Sequence, residues 1–589
     1  MIPMRDGIKL ETVILAPTGA AGPLPILLAR TPYGVPKDTE GMVGGWRAAL
    51  AVDGYIWVYQ NLRGRFASEG AFVMSRAPRD RADPKAIDEG TDAYDTIEWL
   101  VHNVPRNNGR VGMMGASYDA WTATMALLDP HPALKAVLEE ASPADQFLGD
   151  DFHHSGAFRL AYGFEYVALL ESNKDENTFF KFGRGDIYDF FLSMGPLANA
   201  DERYFHGKMP TWNDFVAHPN NDAFRQKQSF TPYLKKTTVP LLNVSGFWDQ
   251  EDFYGPSAIY ETFEKEDAEH LNQIVIGPWN HGGWYDRGGH LGNIEFGSET
   301  GVHYNEVVRP RWLAYWLHGK GERPSAEATI FETGTNRWRT FDKWPPEVGV
   351  SKKKLYLQAD HRLSFEAPKE RGAAAADEYV SDPANPVPFR PRPILPLFTS
   401  EQWPEWLVQD QRFVEHRPDV LSYQTGVLAE GVTIGGDIVA DLFASTSGED
   451  SDWIVKLIDV YPEGEAAPPQ KDADPKARAP VDMRGYELMI ASKVLRGRFR
   501  ESFVSPAKIP SGKIVRYAID LQCHAHTFLP GHRIMVQVQS SWFPVIDRNP
   551  QRWVPNIFTA RAGDYVRATQ RISRSLEAAS AIVLPVLAP

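Results

Sequence analysis

One short stretch limits what this chain can fold into more than any other. Val111-Gly112-Met113-Met114 is an apolar run of strand type, Gly115-Ala116-Ser117-Tyr118-Asp119 is a turn around one serine, and Ala120-Trp121-Thr122-Ala123-Thr124-Met125 continues as a helix. A strand, a sharp turn and a helix of this kind push a serine hydroxyl out at the C-terminal edge of a sheet, where an activated nucleophile belongs.

The surrounding elements supply such a sheet. Residues 8–16, 25–29 and 55–59 read as strands, residues 92–102 as a helix with Tyr94, Ile97, Trp99 and Leu100 facing inward, and residues 134–138 as the next strand. The helix after Ser117 runs to about Leu128, before Pro130. Alternating strands and helices predict a mostly parallel sheet with helices on both faces over residues 1–142. Residues 143–236 are rich in aromatics and Asp, with helical stretches such as 164–172 and no clear strand, so they are expected to form a helical cap. Strands return at 239–244 and 273–276, and a helix bearing Trp312, Leu313, Trp316 and Leu317 closes the domain, whose second part is set at 237–324.

From 325 to 589 the chain reads as all-β. Ile534, Val536 and Val538 alternate with Met535, Gln537 and Gln539 as in a half-buried strand, and 438–444 and 453–460 are similar. A sandwich or jelly roll is expected. Residues 369–396 and 462–480 are rich in Ala and Pro and read as extended loops. No internal repeat is visible.

Composition removes several classes of function. The formal charge is −14, from 62 basic and 76 acidic residues with no long run of either, which argues against a nucleic-acid partner. No apolar run approaches the roughly 20 residues that span a bilayer, so no membrane partner is expected. The single cysteine, Cys523, excludes an internal disulfide, a cysteine metal site and a CxxC redox motif. The chain opens on Met1-Ile2-Pro3-Met4-Arg5-Asp6-Gly7, which does not read as a signal peptide. Neither a cofactor nor a catalytic metal is expected.

A serine hydroxyl needs a base within hydrogen-bond reach, and the base needs a group to orient it. In the α/β-hydrolase layout the order is serine, acid, histidine, each on a loop after a strand. The strand ending at Val244 is followed by Ser245-Gly246-Phe247-Trp248-Asp249, and the strand ending at Ile276 by Gly277-Pro278-Trp279-Asn280-His281. Asp249 and His281 therefore fall where the acid and the base belong. Donors to a developing oxyanion are expected from the Tyr118 N–H and from the loop Arg30-Thr31-Pro32-Tyr33-Gly34, where Tyr33 offers a hydroxyl. Asp249-Gln250-Glu251-Asp252 and Gly149-Asp150-Asp151 add further carboxylates. Three readings stay open for them: solvated loop acids, a Ca²⁺ site, or a pocket for a substrate ammonium group.

Together these residues resemble the α-amino acid ester hydrolases, a branch of the group that contains bacterial cocaine esterase and the X-Pro dipeptidyl peptidases. The resemblance covers nearly the whole chain. It includes Arg30 to Gly34, Arg63-Gly64-Arg65 through Ser68-Glu69-Gly70, Leu127-Leu128-Asp129-Pro130-His131-Pro132, Trp403-Pro404-Glu405-Trp406-Leu407 and residues 531–550, as well as the motifs above. The resemblance implies an α/β hydrolase with a helical cap and a C-terminal jelly roll, assembled as a homotetramer and placed in the periplasm or secreted. It implies Ser117 as nucleophile, His281 as base and acid, Asp249 as its orienter, and Tyr33 and Tyr118 as the oxyanion hole. It implies Asp151, Glu251 and Asp252 as the ammonium-binding carboxylates. The implied chemistry is hydrolysis of α-amino acid esters and aminoacyl transfer to or from β-lactam nuclei of ampicillin and cephalexin type. Two departures stand out. Ala120, third after the serine, occupies a position where the family pattern usually carries Gly, and this sequence shows neither the export signal nor the N-terminal arm of family members. The competing readings are a general carboxylesterase or X-Pro dipeptidyl peptidase without α-amino specificity, and an inactive hydrolase scaffold that only binds.

Overall fold

Short β-branched and aromatic runs between the helices pair into one nine-stranded sheet. The structure, a computed structural model, describes residues 1–464 and 481–588. In chain order the strands are β1 (Thr12–Leu15), β2 (Leu24–Thr31), β3 (Ile56–Asn61), β4 (Asn107–Ala116), β5 (Leu134–Glu140), β6 (Leu241–Gly246), β7 (Asn272–Gly277), β8 (Ala328–Glu332) and β9 (Arg337–Phe341). Their order across the sheet is β9-β8-β7-β6-β5-β4-β2-β3-β1. Strands β2 to β8 run parallel, and β1 and β9 close the two edges antiparallel. This is the α/β-hydrolase sheet that the sequence predicts.

The inner strands are buried on both faces, as parallel strands must be when helices cover them. Ile26, Leu28, Ile56, Val58 and Met113 pack with the helices α1 (Glu89–Asn103) and α2 (Tyr118–Met125) through Ile97, Leu100, Trp121 and Met125. Leu27, Trp57, Met114 and Leu138 face the other way, onto Trp312, Leu313 and Leu317. Helix α1 starts at a capping box, in which the Asp88 carboxylate accepts from the Thr91 N–H at 2.8 Å and the Thr91 hydroxyl oxygen accepts from the Asp88 N–H at 3.0 Å. One turn on, Asp92 receives the Arg63 guanidinium at 2.5 and 2.6 Å, which fixes the chain that follows β3.

Beyond the expected domain boundary at residue 324, two strands still join the catalytic sheet. β8 and β9 lie beyond it yet complete the catalytic sheet, with Ala328, Ile330 and Phe331 buried beside β7. Alternation marks a strand but does not say which sheet it joins. The all-β domain instead begins with the strand Val350–Gln358 and forms a twelve-stranded, almost wholly antiparallel sheet. Its strand Arg533–Gln539 was expected to be half-buried and is buried on both faces. Ile534, Val536 and Val538 enter the domain's own core, whereas Met535 packs into the core shared with the catalytic domain. The stretch 369–396, expected to be an extended loop, contains the strand Ala376–Ser381, paired with Ala568–Ser575. Of the second expected loop, residues 465–480 lie outside the described residues.

The cap is helical as expected, apart from a small hairpin pairing His153–His154 with Ala157–Phe158. Its helix α3 (Leu160–Glu171) is buried along nearly its whole length. Phe164 points into an aromatic cluster with Phe191, Phe205 and Trp212, while Tyr162 and Tyr166 stack with ring centroids 5.3 Å apart on the side facing the catalytic loops.

Candidate active site

β4 ends at Ala116 and α2 begins at Tyr118, so Ser117 alone makes the turn. Its backbone has φ 58° and ψ −126°, a conformation that costs a non-glycine residue about 1–3 kcal/mol and that the surroundings must enforce. The Ser117 N–H donates to Glu140 O at 2.8 Å at the end of β5. Gly115 permits the helix to fold back this closely, because a Cβ there would sit 2.5 Å from the Asp119 carbonyl carbon. The Tyr118 N–H lies in the first turn of α2, where backbone donors have no acceptor within the helix. Ala120 is wholly buried, and α2 passes through it without interruption.

Asp249 and His281 leave β6 and β7, which are neighbours in the sheet. Gly246 lets the two loops touch, since a Cβ there would meet Trp279 O at 2.2 Å. The Asp249 carboxylate is buried, accepts the Glu251 and Asp252 N–H groups at 2.8 and 2.9 Å, and receives His281 Nδ1 at 3.0 and 2.9 Å on its two oxygens. The His281 N–H donates to Gln250 Oε1 at 3.1 Å. A ring held through Nδ1–H presents Nε2 as the basic nitrogen. Among the described residues the Ser117 hydroxyl makes no hydrogen bond, so the serine–histidine link is open in this structure; such contacts tighten when substrate arrives. Burial disfavours the imidazolium, but Asp249, Glu251 and Asp151 outweigh it and push the His281 pKa up to about 9.

The Tyr33 hydroxyl lies 2.6 Å from that of Tyr166, and its ring meets the edge of the Tyr118 ring at 6.4 Å. Burial holds its pKa well above the ordinary phenol value, so the hydroxyl stays a donor. The Arg65 guanidinium donates to Pro32 O and Leu170 O, both at 2.9 Å, and so ties the Tyr33 loop to α3.

The carboxylates are not solvated loop acids. Asp151, Glu251 and Asp252 are 4%, 8% and 0% exposed. The Tyr162 hydroxyl bridges Asp151 Oδ1 at 2.7 Å and Glu251 Oε2 at 2.9 Å. Trp403 Nε1 donates to Glu251 Oε1 at 2.7 Å. Asp252 lies deeper: one oxygen accepts the Asp151 N–H at 3.4 Å and the other has no partner. Asp150 has a different task, accepting the N–H groups of Ala144, Asp145 and Gly255 at 2.7–2.9 Å and pinning the loop. Arg159 supports the floor through backbone carbonyls, donating to Asp151 O at 2.8 Å, Glu251 O at 3.4 Å and Gln250 O. Burial pushes the Asp151 pKa up to about 6, against the pull of the Tyr162 hydrogen bond. Burial, then repulsion from Asp151 and Asp150, holds Asp252 well above the carboxylate range. Among the described residues the one group of three or more His, Cys, Asp or Glu side chains whose ligand atoms all lie within 4.8 Å of one another is elsewhere, at Glu264, Asp267 and Glu327.

The structure therefore brings all eight expected site residues to one edge of the sheet or its cap. It adds Tyr162, Arg159, Gln250 and Trp403, which sequence reasoning missed. Tyr162 is one aromatic among many in α3, and Trp403 belongs to the other domain.

Two family models divide the chain. The X-Pro dipeptidyl-peptidase (S15 family) model matches residues 6–283, and the X-Pro dipeptidyl-peptidase C-terminal non-catalytic domain model matches 314–580. Cocaine esterase from Rhodococcus sp. (strain MB1 Bresler) is 30% identical over 623 aligned positions, covering 100% of this chain and 98% of that protein. The chain belongs to the S15 peptidase and cocaine esterase family. Two solved structures are similar over their whole length. An aminopeptidase from a marine sediment Thaumarchaeota archaeon matches at 41% identity and TM-score 0.93, covering 100% of this chain and 96% of that one. An α-amino acid ester hydrolase matches at 41% identity and TM-score 0.92, covering 100% and 95%. Within this S15 frame, Ser117, Asp249 and His281 all lie in the first matched segment, and Trp403 lies in the non-catalytic one.

Proposed function

We propose that this S15-family esterase cleaves α-amino acid esters through an acyl-enzyme, selecting them by the free α-ammonium group. The observation that carries the reading is the buried pair Asp151 and Glu251, joined by Tyr162 and set beside His281. Buried carboxylates this close favour ionisation only when a cation sits among them. An α-ammonium group, one bond from the reacting carbonyl's neighbour, is a cation of the right reach.

In this mechanism Ser117 Oγ attacks the carbonyl carbon while His281 Nε2 takes its proton. Asp249 holds the ring and balances the imidazolium. The oxyanion accepts hydrogen bonds from the Tyr118 N–H and the Tyr33 hydroxyl. His281 then protonates the leaving alcohol, and the acyl-enzyme remains. Water attacks it with His281 again as base, or the amine of a β-lactam nucleus does so and leaves as the aminoacyl product.

The two relatives at 41% identity are named for an aminopeptidase and an α-amino acid ester hydrolase, and both names imply substrates with a free amino group. The first name favours a second reading, in which the same site cleaves N-terminal residues from peptides. Comparing phenylglycine methyl ester with phenylglycine anilide separates the two. For the ammonium requirement, phenylglycine methyl ester is set against its des-amino analogue. We expect kcat/KM to favour the amino ester by about a hundredfold or more, the worth of a charge-assisted contact. Equal values would refute the proposal.

A further inference from the structure

We propose that Glu251 couples recognition to catalysis: in the empty site it keeps His281 as an imidazolium, and a substrate cation docking on Glu251 frees His281 to act as the base. The proposal rests on the ammonium reading above and adds a consequence to it.

The two ring nitrogens of His281 face two carboxylates. Nδ1 is held by Asp249 at 2.9 Å, and Nε2, the nitrogen that must take the Ser117 proton, lies 3.9 Å from Glu251 Oε2. A serine protease-type triad needs only the first of these. The second places an anion beside the lone pair that performs the chemistry, and anions at both ends of a ring favour its protonated form. The other groups facing this space do not cancel that charge. Asp151, from the cap, is a further carboxylate linked through Tyr162. Trp403 Nε1 and Gln250 Nε2 are neutral donors to Glu251, and the single Tyr162 O–H is shared between Glu251 and Asp151. Trp284 meets the imidazole with ring centroids 5.9 Å apart and carries no charge. Arg159 is the cation nearest this space: its Nη atoms donate to backbone carbonyls, its Nε has no partner among the described residues, it lies over the Tyr162 and Trp403 rings at 4.5 and 5.7 Å, and its charge favours the ionised Asp151 without a hydrogen bond to either carboxylate. Burial works against the imidazolium, but the carboxylates prevail and push the His281 pKa up to about 9.

An imidazolium has no lone pair for the serine proton. When an ammonium group docks between Asp151 and Glu251, Glu251 gains a cation as partner, the His281 pKa falls, and a larger share of the rings carries a free Nε2 lone pair. Neutralising a charge about 4 Å away changes such an equilibrium by about tenfold or more. An ester lacking the amine binds without this shift. The acidic pair then selects substrates in turnover as well as in binding.

The test compares pH profiles of wild-type enzyme on phenylglycine methyl ester and on its des-amino analogue. The kcat profile reports groups in the complex, and kcat/KM those in the free enzyme. We expect the acid limb of kcat for the amino ester to lie at least one pH unit below the acid limb of kcat/KM for the des-amino ester. Glu251→Gln should move the latter limb down by about one pH unit, raising des-amino kcat/KM at pH 7 about tenfold, while amino-ester kcat/KM falls. Coincident limbs in the wild-type protein overturn the coupling, as does a des-amino profile unmoved by Glu251→Gln. If that variant does not fold, the wild-type comparison decides alone. Loss of the preference for the amino ester would refute the proposed function; a retained preference with coincident limbs refutes only the coupling.

Discussion

Trp403 Nε1 donates to Glu251 Oε1 at 2.7 Å, so a residue of the non-catalytic domain completes the acidic wall of the site. Trp403 is held by Trp406 and Phe389, with ring centroids at 6.1 and 6.3 Å. The second domain therefore reaches the chemistry through a rigid aromatic anchor. Trp403→Phe keeps the ring and removes the donor. A hydrogen bond to a charged group is worth about 1.5–3 kcal/mol, so amino-ester kcat/KM should fall about 10- to 100-fold while the des-amino ester stays within about threefold. Steady-state kinetics on the two esters check this, and an equal loss on both would contradict it.

Asp249 performs two tasks that one substitution separates. Its carboxylate orients His281, and its Oδ1 also gathers the N–H groups of Glu251 and Asp252. Asp249→Asn retains the shape and can still accept those N–H groups, but it no longer fixes the Nδ1–H tautomer or balances an imidazolium. kcat should drop by about 10³–10⁴-fold with little change in KM. Ser117→Ala should remove turnover and labelling by an organophosphonate probe. Labelling that persists in Ser117→Ala would place the nucleophile elsewhere.

The cap and the β domain are joined by a buried ion cluster. Arg496 pairs with Asp452 at 2.8 Å and Asp547 at 2.6 Å, and Asp547 Oδ1 accepts the Phe158 N–H at 3.2 Å. Arg496→Met leaves two carboxylates buried without their cation. Breaking such a cluster costs about 3–5 kcal/mol, and the urea midpoint should fall accordingly. The fraction that remains folded at 25 °C should keep wild-type kcat, since none of these residues touches the catalytic loops. An unchanged midpoint would show that the cluster adds nothing to stability.

Ser117, Asp249 and His281 were legible because each follows directly on an apolar strand, and strand ends are local in sequence. Gly115 and Gly246 were visible as letters, but their reasons were not: the close approaches to Asp119 and Trp279 exist only in three dimensions. The same limit applies at the domain boundary. β8 reads as a buried strand whichever sheet receives it, and only the pairing of Ile274 with Ala328 assigns it to the catalytic domain. Met535 likewise looks like part of an outer face until the core shared with the catalytic domain covers it. Tyr162 and Trp403 lay beyond reach because they meet Glu251 from chain positions 89 and 152 residues away.

The acidic pocket should release protons when it binds a cation. In the empty site burial raises the Asp151 pKa to about 6 and that of Asp252 further, and the carboxylates around His281 raise its pKa to about 9. All three hold protons more tightly than the same groups in water. A docked ammonium group favours the ionised carboxylates and the neutral imidazole, so the complex binds fewer protons than the free protein. By linkage, affinity then rises with pH wherever these groups are partly protonated. The clean window is about pH 5 to 6.5, because the ammonium group of an α-amino ester titrates above it, at about 7–8. Ser117→Ala protein binds phenylglycine methyl ester without consuming it, and titration calorimetry in two buffers of different ionisation enthalpy counts the protons. We expect release of up to about one proton per ligand near pH 6, with affinity rising by at most about tenfold per pH unit. The des-amino ester should show no such linkage. Proton uptake, or an affinity flat across the window, would mean that the cation does not dock against these carboxylates.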